Sequence, residues 1–171
     1  MRAAILTQLN EPMPIEEVTP IDPGPRDVVV RVTASGVCHS DLSVYHGYVG
    51  DMTPIVLGHE GTGIVEAVGP DVTSVKAGDR IIATFIPACG ACWWCLRDQT
   101  NLCERSLDVS GTPRFKRSDG TVAPGMTGLG TFADAMTVSE GLAHEIFRGA
   151  GRGPDMAERI AGFQNKTVKQ A

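Results

Sequence analysis

Four cysteines lie close together in the sequence and are spaced as metal ligands. Cys89, Cys92 and Cys95 form two successive C-x-x-C steps, and Cys103 follows after a seven-residue loop. Three thiolates on one tight turn and a fourth from the loop match a closed, tetrahedral zinc site. The alternatives are disulfides, which need an oxidising compartment, and a redox-active C-x-x-C pair. We favour structural zinc because the N-terminus has no secretion-signal pattern and the three cysteines are evenly stepped.

A second candidate metal site combines the fifth cysteine with a histidine. Cys38 lies in the stretch Gly-Val-Cys-His-Ser-Asp, and His59-Glu60 begins 21 residues later. A catalytic zinc takes three protein ligands and leaves one position open. Cys38 and His59 can supply two of these ligands, and Glu60 can be a further ligand or a group that contacts the ligands without binding the metal. On spacing alone the site is weakly indicated, because a lone cysteine is usually a small buried hydrophobe. A metalloprotease is disfavoured, since residue 63 is glycine and H-E-x-x-H is not completed.

The composition places the chain among globular, strand-rich proteins. Its 171 residues are 42% hydrophobic and include 20 glycines and 11 prolines, which favours one domain of many short strands. The net charge is -5, with no basic run, so neither nucleic acid nor an anionic membrane is an expected partner. No apolar run has membrane-spanning length. Thiols used as metal ligands fit a reducing compartment, so we predict a cytoplasmic protein.

Hydrophobic patterning predicts the elements that position these residues. Residues 27–34 alternate apolar and polar faces and give the clearest strand signal. Ser40 and Asp41 are good helix-capping types, which predicts a short helix through about Gly47. Residues 104–130 are interpreted as loop, and residues 131–138 as a weaker strand. Glycines in the apolar stretch 55–69 indicate bulges or close backbone approach.

Taken in order, the motifs closely resemble those of the zinc-containing medium-chain alcohol dehydrogenases. They are G-V-C-H-S-D, then G-H-E-G-T-G-I-V-E-A-V-G, then G-D-R-I-I, then C-x2-C-x2-C-x7-C. The resemblance implies that residues 1–140 form a GroES-like, twisted β-barrel catalytic domain. It also implies a projecting structural-zinc lobe at about residues 87–110. In this family, a Rossmann domain that binds NAD or NADP follows the catalytic domain.

The resemblance also assigns roles residue by residue. Cys38 and His59 match ligands of the catalytic zinc, and Glu60 matches a nearby carboxylate that can approach the metal. Ser40 matches the hydroxyl that takes the proton of the substrate alcohol. Asp41 matches a carboxylate that orients the ligand histidine, and His39 matches a basic position near the cofactor pyrophosphate. The structural zinc quartet is matched by Cys89, Cys92, Cys95 and Cys103. Ser43 departs from the pattern, because the family's proton relay has histidine there.

The sequence departs from the family pattern towards its C-terminus. The family's third catalytic-zinc ligand is a cysteine, but no cysteine follows Cys103. The stretch 149–154 resembles G-x-G-x-x-G only superficially, because its sixth residue is Pro154 and no βαβ unit surrounds it. We therefore interpret residues 141–171 as an atypical tail, disordered or with one short helix that aligns Met156, Ile160 and Phe163. We expect a truncated or frame-shifted chain that lacks the Rossmann domain and is incomplete for catalysis.

Three classes of function remain open at this point. The first is an alcohol dehydrogenase catalytic domain acting on a small alcohol or aldehyde, either as a homo-oligomer or completed by a separate Rossmann chain. The second is a non-enzymatic zinc-binding module, for which the missing third ligand argues. The third is a chaperonin-cofactor-like role, which rests only on fold analogy. Trp93 and Trp94 are interpreted as packing the lobe, with a substrate wall as the alternative.

Overall fold

Strands dominate the computed structural model, which describes residues 1–86, 88–89 and 91–145. The two short helices in these residues are α1 (His39–Tyr45) and α2 (Ser106–Ser110), and neither has the length and apolar character needed to cross a membrane. The prediction of a mainly β protein with short helices is confirmed. The strands are β1 (Arg2–Leu6), β2 (Ile15–Pro20), β3 (Asp27–Ser35), β4 (Ile55–Val56), β5 (Gly61–Val68), β6 (Arg80–Ala83), β7 (Pro113–Arg117), β8 (Val122–Pro124), β9 (Ala135–Ser139) and β10 (Ala143–Glu145).

The strands form two five-stranded sheets with antiparallel neighbours. The first sheet has the order β4-β1-β2-β7-β8 and the second the order β10-β6-β5-β3-β9. An isolated bridge from Ala3 to Ala133 links β1 to the chain just before β9. The second candidate metal site lies on the segments that follow β3, which is paired on both sides in the second sheet, and β4, which ends three residues before His59.

The alternation that predicted β3 also determines which of its side chains enter the core. Val28 and Val30 are fully buried, whereas Arg31 is exposed. Their inward face packs against Val65 and Ile81 of β5 and β6 within one hydrophobic cluster. Burying a Val or Ile side chain contributes about 1.5–3 kcal/mol, so this face anchors the second sheet.

The interpretation of residues 104–130 as loop is wrong, because this stretch contains α2, β7 and β8. Strand β7 has the sequence Pro-Arg-Phe-Lys-Arg, in which only Phe115 gives an apolar signal. Phe115 is nevertheless fully buried in a cluster with Ile5 and Val56. The strand is therefore specified by pairing with β2 and β8 and not by its own pattern.

The C-terminal segment joins the second sheet beyond the predicted domain boundary at residue 140. Strand β10 pairs antiparallel with β6, with Ala143 opposite Ala83. Leu142 and Ala143 are buried in the core of this sheet. The short helix predicted around residues 156–163 lies outside the described residues, and the division into residues 1–140 and 141–171 stays a prediction.

Glu140 connects three distant segments of the chain through one buried carboxylate. Oε2 accepts a hydrogen bond from Arg26 Nη2 at 2.8 Å, and Oε1 accepts from the backbone N–H groups of Thr73 at 2.7 Å and Ser74 at 2.8 Å. Burial opposes its ionisation, but the Arg26 guanidinium and the backbone donors lower the pKa of Glu140 to about 2. The carboxylate is therefore a stabilising ion at neutral pH.

We expect Glu140→Gln to lower the free energy of unfolding by about 2 kcal/mol at pH 7, because charge-assisted hydrogen bonds are lost. A carboxyl with a depressed folded-state pKa stabilises fully above its ordinary pKa of 4.5 and loses that contribution as pH falls towards about 2. Urea unfolding of both proteins between pH 7 and pH 3.5 should therefore show the difference shrinking below pH 4.5. The matched control is Glu17→Gln, whose carboxylate is 78% exposed and should change stability by less than about 0.5 kcal/mol.

Candidate metal centres

The four predicted cysteine ligands of the lobe come together in one cluster. The sulfur atoms of Cys89, Cys92, Cys95 and Cys103 all lie within 4.8 Å of one another. Cys89 Sγ and Cys95 Sγ are 3.9 Å apart, close to the roughly 3.8 Å between two sulfurs of a tetrahedral zinc–thiolate site. Cys89 is half-buried and the other three are buried. The cluster fits a structural zinc in both donor type and spacing.

Backbone donors around the cluster favour the thiolate form that zinc requires. The Cys92 N–H points to Cys89 Sγ at 3.3 Å, and the Cys89 N–H points to Cys103 Sγ at 3.3 Å. The backbone N–H of Cys95 is the largest influence on Cys92 and lowers the pKa of its thiol to about 6. The N–H of Ala91 likewise lowers the pKa of Cys89. These thiols therefore ionise more readily than an ordinary cysteine.

In the described part of the lobe, few apolar side chains other than the cysteines are buried. Among the residues of the lobe that the structure describes, Cys92, Cys95 and Cys103 are the buried members of its cluster, and Ala88, Cys89 and Trp94 pack against them as partly buried neighbours. Trp94 thus packs the lobe as predicted, but Trp93 is 53% exposed and lies beneath the Arg97 guanidinium, 3.9 Å from its ring centroid. The cohesion of the lobe therefore depends on what holds the sulfurs together.

The second candidate site brings together the three residues predicted for it. Cys38 Sγ lies 3.2 Å from His59 Nε2, and a Glu60 carboxylate oxygen lies within 4.8 Å of both atoms. Cys38 is half-buried as the N-cap of α1, and His59 is buried between β4 and β5. Glu60 is exposed. One sulfur, one imidazole nitrogen and one carboxylate are donors that suit zinc.

Asp41 supports this site from behind. Its Oδ2 accepts from the Cys38 N–H at 3.0 Å, and its Oδ1 accepts from the Gly58 N–H at 2.9 Å. Oδ1 is also 3.4 Å from His59 Nδ1, a buried nitrogen with no hydrogen-bond partner among the described residues. An Nδ1–H facing a carboxylate leaves the Nε2 lone pair directed towards Cys38, as a metal ligand requires.

Gly58 allows His59 to occupy this position. Its φ is +90°, and an added Cβ would overlap the Thr131 hydroxyl and lie 2.9 Å from the Phe132 nitrogen. Glycine is the residue that adopts this backbone without strain and without that overlap. The glycines predicted to mark close backbone approach are confirmed at this position.

The two other predicted site residues, His39 and Ser40, lie at the start of α1. His39 and Ser40 are exposed, and the Ser40 N–H points to Cys38 Sγ at 3.3 Å. Ser43 lies at the position of the family's relay histidine. Its hydroxyl donates to the His39 carbonyl at 3.1 Å and lies 3.4 Å from the imidazole Nδ1 of His39. Ser43 is therefore engaged with His39 on the same helix.

Phe85 belongs to this site but was not predicted from the sequence. Its ring meets the His59 imidazole edge to face with centroids 5.8 Å apart, and it is 49% exposed. It lies two residues beyond the end of β6, where an apolar residue looks like a continuation of the strand. Register could have indicated it, because Ala83 pairs with Gly61, two residues after His59.

Comparisons with known proteins agree on one family. The model of the alcohol dehydrogenase GroES-like domain matches residues 24–147. Putative alcohol dehydrogenase D of Mycobacterium tuberculosis is 42% identical over 144 residues, which are 81% of this chain and 39% of that protein. The NDMA-dependent alcohol dehydrogenase of Amycolatopsis methanolica is 40% identical over 145 residues, with the same two coverages of 81% and 39%. The chain thus spans about two fifths of the length of these relatives.

Solved structures give the same fold. An alcohol dehydrogenase zinc-binding domain protein from Burkholderia ambifaria superposes with a TM-score of 0.80 at 32% identity, covering 88% of this chain and 42% of that one. Benzyl alcohol dehydrogenase from Acinetobacter calcoaceticus superposes with a TM-score of 0.75 at 26% identity, covering 87% and 41%. The predicted GroES-like architecture is therefore confirmed.

Proposed function

Because this chain belongs to the family of alcohol dehydrogenase GroES-like domains, we propose that it supplies the metal-binding and proton-accepting half of a zinc-dependent alcohol dehydrogenase. The reaction is the oxidation of a small alcohol to an aldehyde or ketone with reduction of NAD or NADP, and its reverse. The observation that carries the proposal is the convergence of Cys38, His59 and Glu60, with the Asp41 carboxylate facing the far nitrogen of the imidazole.

Each residue of the site has a distinct task in this proposal. Cys38 and His59 hold the zinc, which when bound polarises the oxygen of an alcohol or carbonyl substrate. Asp41 keeps the imidazole oriented and its Nε2 unprotonated. Ser40, which is exposed and lies two residues after Cys38, accepts the proton of the alcohol. His39, also exposed, provides a basic group for the pyrophosphate of the nucleotide.

The nucleotide site is proposed to come from a Rossmann domain, and the third cysteine ligand from a segment outside this chain. The sequence contains five cysteines, all of them accounted for by the two sites. The chain covers 39% of the curated relatives, and the rest of their length lies beyond this alignment. We assign the protein to a reducing, cytoplasmic compartment, since its thiols are placed as metal ligands. A small alcohol or aldehyde is the proposed substrate, and a homo-oligomer or a complementing Rossmann chain the proposed assembly.

A cobalt titration tests the metal site directly. With the lobe already loaded with zinc, we expect one further equivalent of Co²⁺ to bind and to give thiolate-to-cobalt absorption in the near ultraviolet. Cys38→Ser should abolish this absorption and leave the lobe zinc in place. A second equivalent that binds equally well to Cys38→Ser would refute the proposed site.

A turnover assay tests what the purified chain does alone. We expect no reduction of NAD or NADP with simple alcohols, because the chain offers no third cysteine ligand and the described residues contain no βαβ nucleotide unit. Clear turnover by the zinc-loaded chain would contradict this expectation. Loss of turnover in Cys38→Ser would then be the control that excludes a contaminating dehydrogenase.

A further inference from the structure

Gly36 lies directly beneath the Glu60 side chain at the edge of the second metal site. The two residues meet where β3 ends and β5 begins, with Ser35 opposite Gly61. The Gly36 N–H donates to the Glu60 carbonyl at 2.8 Å, which holds the two backbones together. A Cβ added to Gly36 would overlap Glu60 Oε2 and lie 3.1 Å from Glu60 Cβ and 3.3 Å from Glu60 Cδ. The carboxylate thus occupies the space that any other residue at position 36 would fill.

We infer that Gly36 is a positioning residue, whose missing side chain leaves the Glu60 carboxylate room to stand beside Cys38 and His59. The backbone at Gly36 does not explain the glycine, because it is not among the glycines with positive φ. The remaining reason for glycine at position 36 is that the Glu60 side chain occupies the space of a Cβ. The inference rests on the proposed function, since Glu60 has a task there only if Cys38 and His59 bind a metal.

This placement matters because Glu60 is the third donor that the chain itself offers. The carboxylate, the Cys38 sulfur and the His59 nitrogen lie within 4.8 Å of one another. A glutamate side chain is flexible, so an alanine at position 36 would push the carboxylate aside, while the contact with Glu60 Cβ requires a shift of only a few tenths of an ångström. The fold should therefore tolerate the change while the donor set loses one member.

Gly36→Ala should change metal binding without changing the stability of the fold. We expect its zinc affinity at the second site to fall about 10-fold or more, the range found when a supporting group of a metal site is lost. Glu60→Ala should give a similar loss, and Gly36→Ala added to Glu60→Ala should give less than about a twofold further change, because the displaced carboxylate is already absent. Affinities are measured by chelator competition on the chain with its lobe zinc in place.

Gly111→Ala is the matched control, since its backbone is helical with φ -85° and the added Cβ meets only the Leu107 carbonyl oxygen at 3.8 Å. Its second-site affinity should equal that of the unmodified chain, and both variants should melt within about 4 °C of it. Wild-type affinity in Gly36→Ala, or an equal loss with and without Glu60, would overturn the inference.

A crystal structure of metal-free Gly36→Ala decides the steric step independently of metal binding. We expect the Glu60 carboxylate to be displaced and the backbone to shift by no more than a few tenths of an ångström. An unmoved carboxylate would overturn the inference even if zinc affinity fell. A further result would be that the unmodified chain binds no second metal but the carboxylate moves in the variant. The proposed function would then fail, and Gly36 would have no role in metal binding. Gly36 would still be the residue that leaves room for the Glu60 carboxylate.

Discussion

Replacing Cys103 by serine should release one zinc per chain and unfold the lobe around residues 88–103. The sulfur cluster contributes three of the buried side chains in this region, and the partly buried neighbours are few. Without a metal, thiols with lowered pKa values would face one another across about 4 Å as partly ionised, mutually repelling groups. Structural zinc in comparable small peptides contributes about 10–16 kcal/mol of apparent binding free energy, and that energy is available for folding.

Tryptophan fluorescence gives a local readout of this change. The sequence contains two tryptophans, Trp93 and Trp94, and both lie within the lobe. We expect the emission of Cys103→Ser to match that of the unmodified chain after treatment with a strong chelator. Cys38→Ser is the matched control, because it removes a thiol of the other site and should leave the fluorescence unchanged. Full zinc content and native emission in Cys103→Ser would show that the four thiols do not form a metal cage.

The residues of both candidate metal centres could be predicted because metal binding restricts residue type and spacing. Cys89, Cys92 and Cys95 follow one another at a fixed interval, and that interval alone brings three sulfurs to one turn. Cys38 and His59 were indicated weakly by spacing, and the order of the family's motifs strengthened the prediction. In each case the signal was local in sequence or could be read from a short motif.

The parts that sequence reasoning missed depend on contacts between distant segments. Strand β7 was interpreted as loop because its one buried apolar residue, Phe115, gives no periodic pattern, although it packs in the first sheet's core. Phe85 was missed because its partner His59 lies in a distant segment, between β4 and β5. The sequence alone assigned no role to Gly36, because its closeness to Glu60 is a contact between distant segments. To predict each of these features, one must know which strands pair or which distant residues are in contact. Composition and hydrophobic pattern do not give that information.

Removing the Asp41 carboxylate should weaken both the fold and the second metal site. In Asp41→Ala the backbone N–H groups of Cys38 and Gly58 lose their acceptor. Asp41 is 3% exposed, so water does not readily replace it. One buried and one part-buried donor left unpaired cost about 2–4 kcal/mol in total, which chemical denaturation should detect. Zinc affinity at the second site should also fall about 10- to 100-fold, because His59 loses the carboxylate that faces its Nδ1.

The same truncation at an exposed turn separates this effect from a general cost of losing an aspartate. Asp119 also accepts from a backbone N–H, that of Thr121 at 2.9 Å, but it is exposed. Asp119→Ala should therefore cost well under 1 kcal/mol and leave the metal affinity unchanged. The zinc content of the lobe should be the same in both variants, since Asp41 does not contribute to the four-cysteine cluster. If Asp41→Ala lost stability but kept full affinity at the second site, its carboxylate would hold the helix to Gly58 without orienting His59.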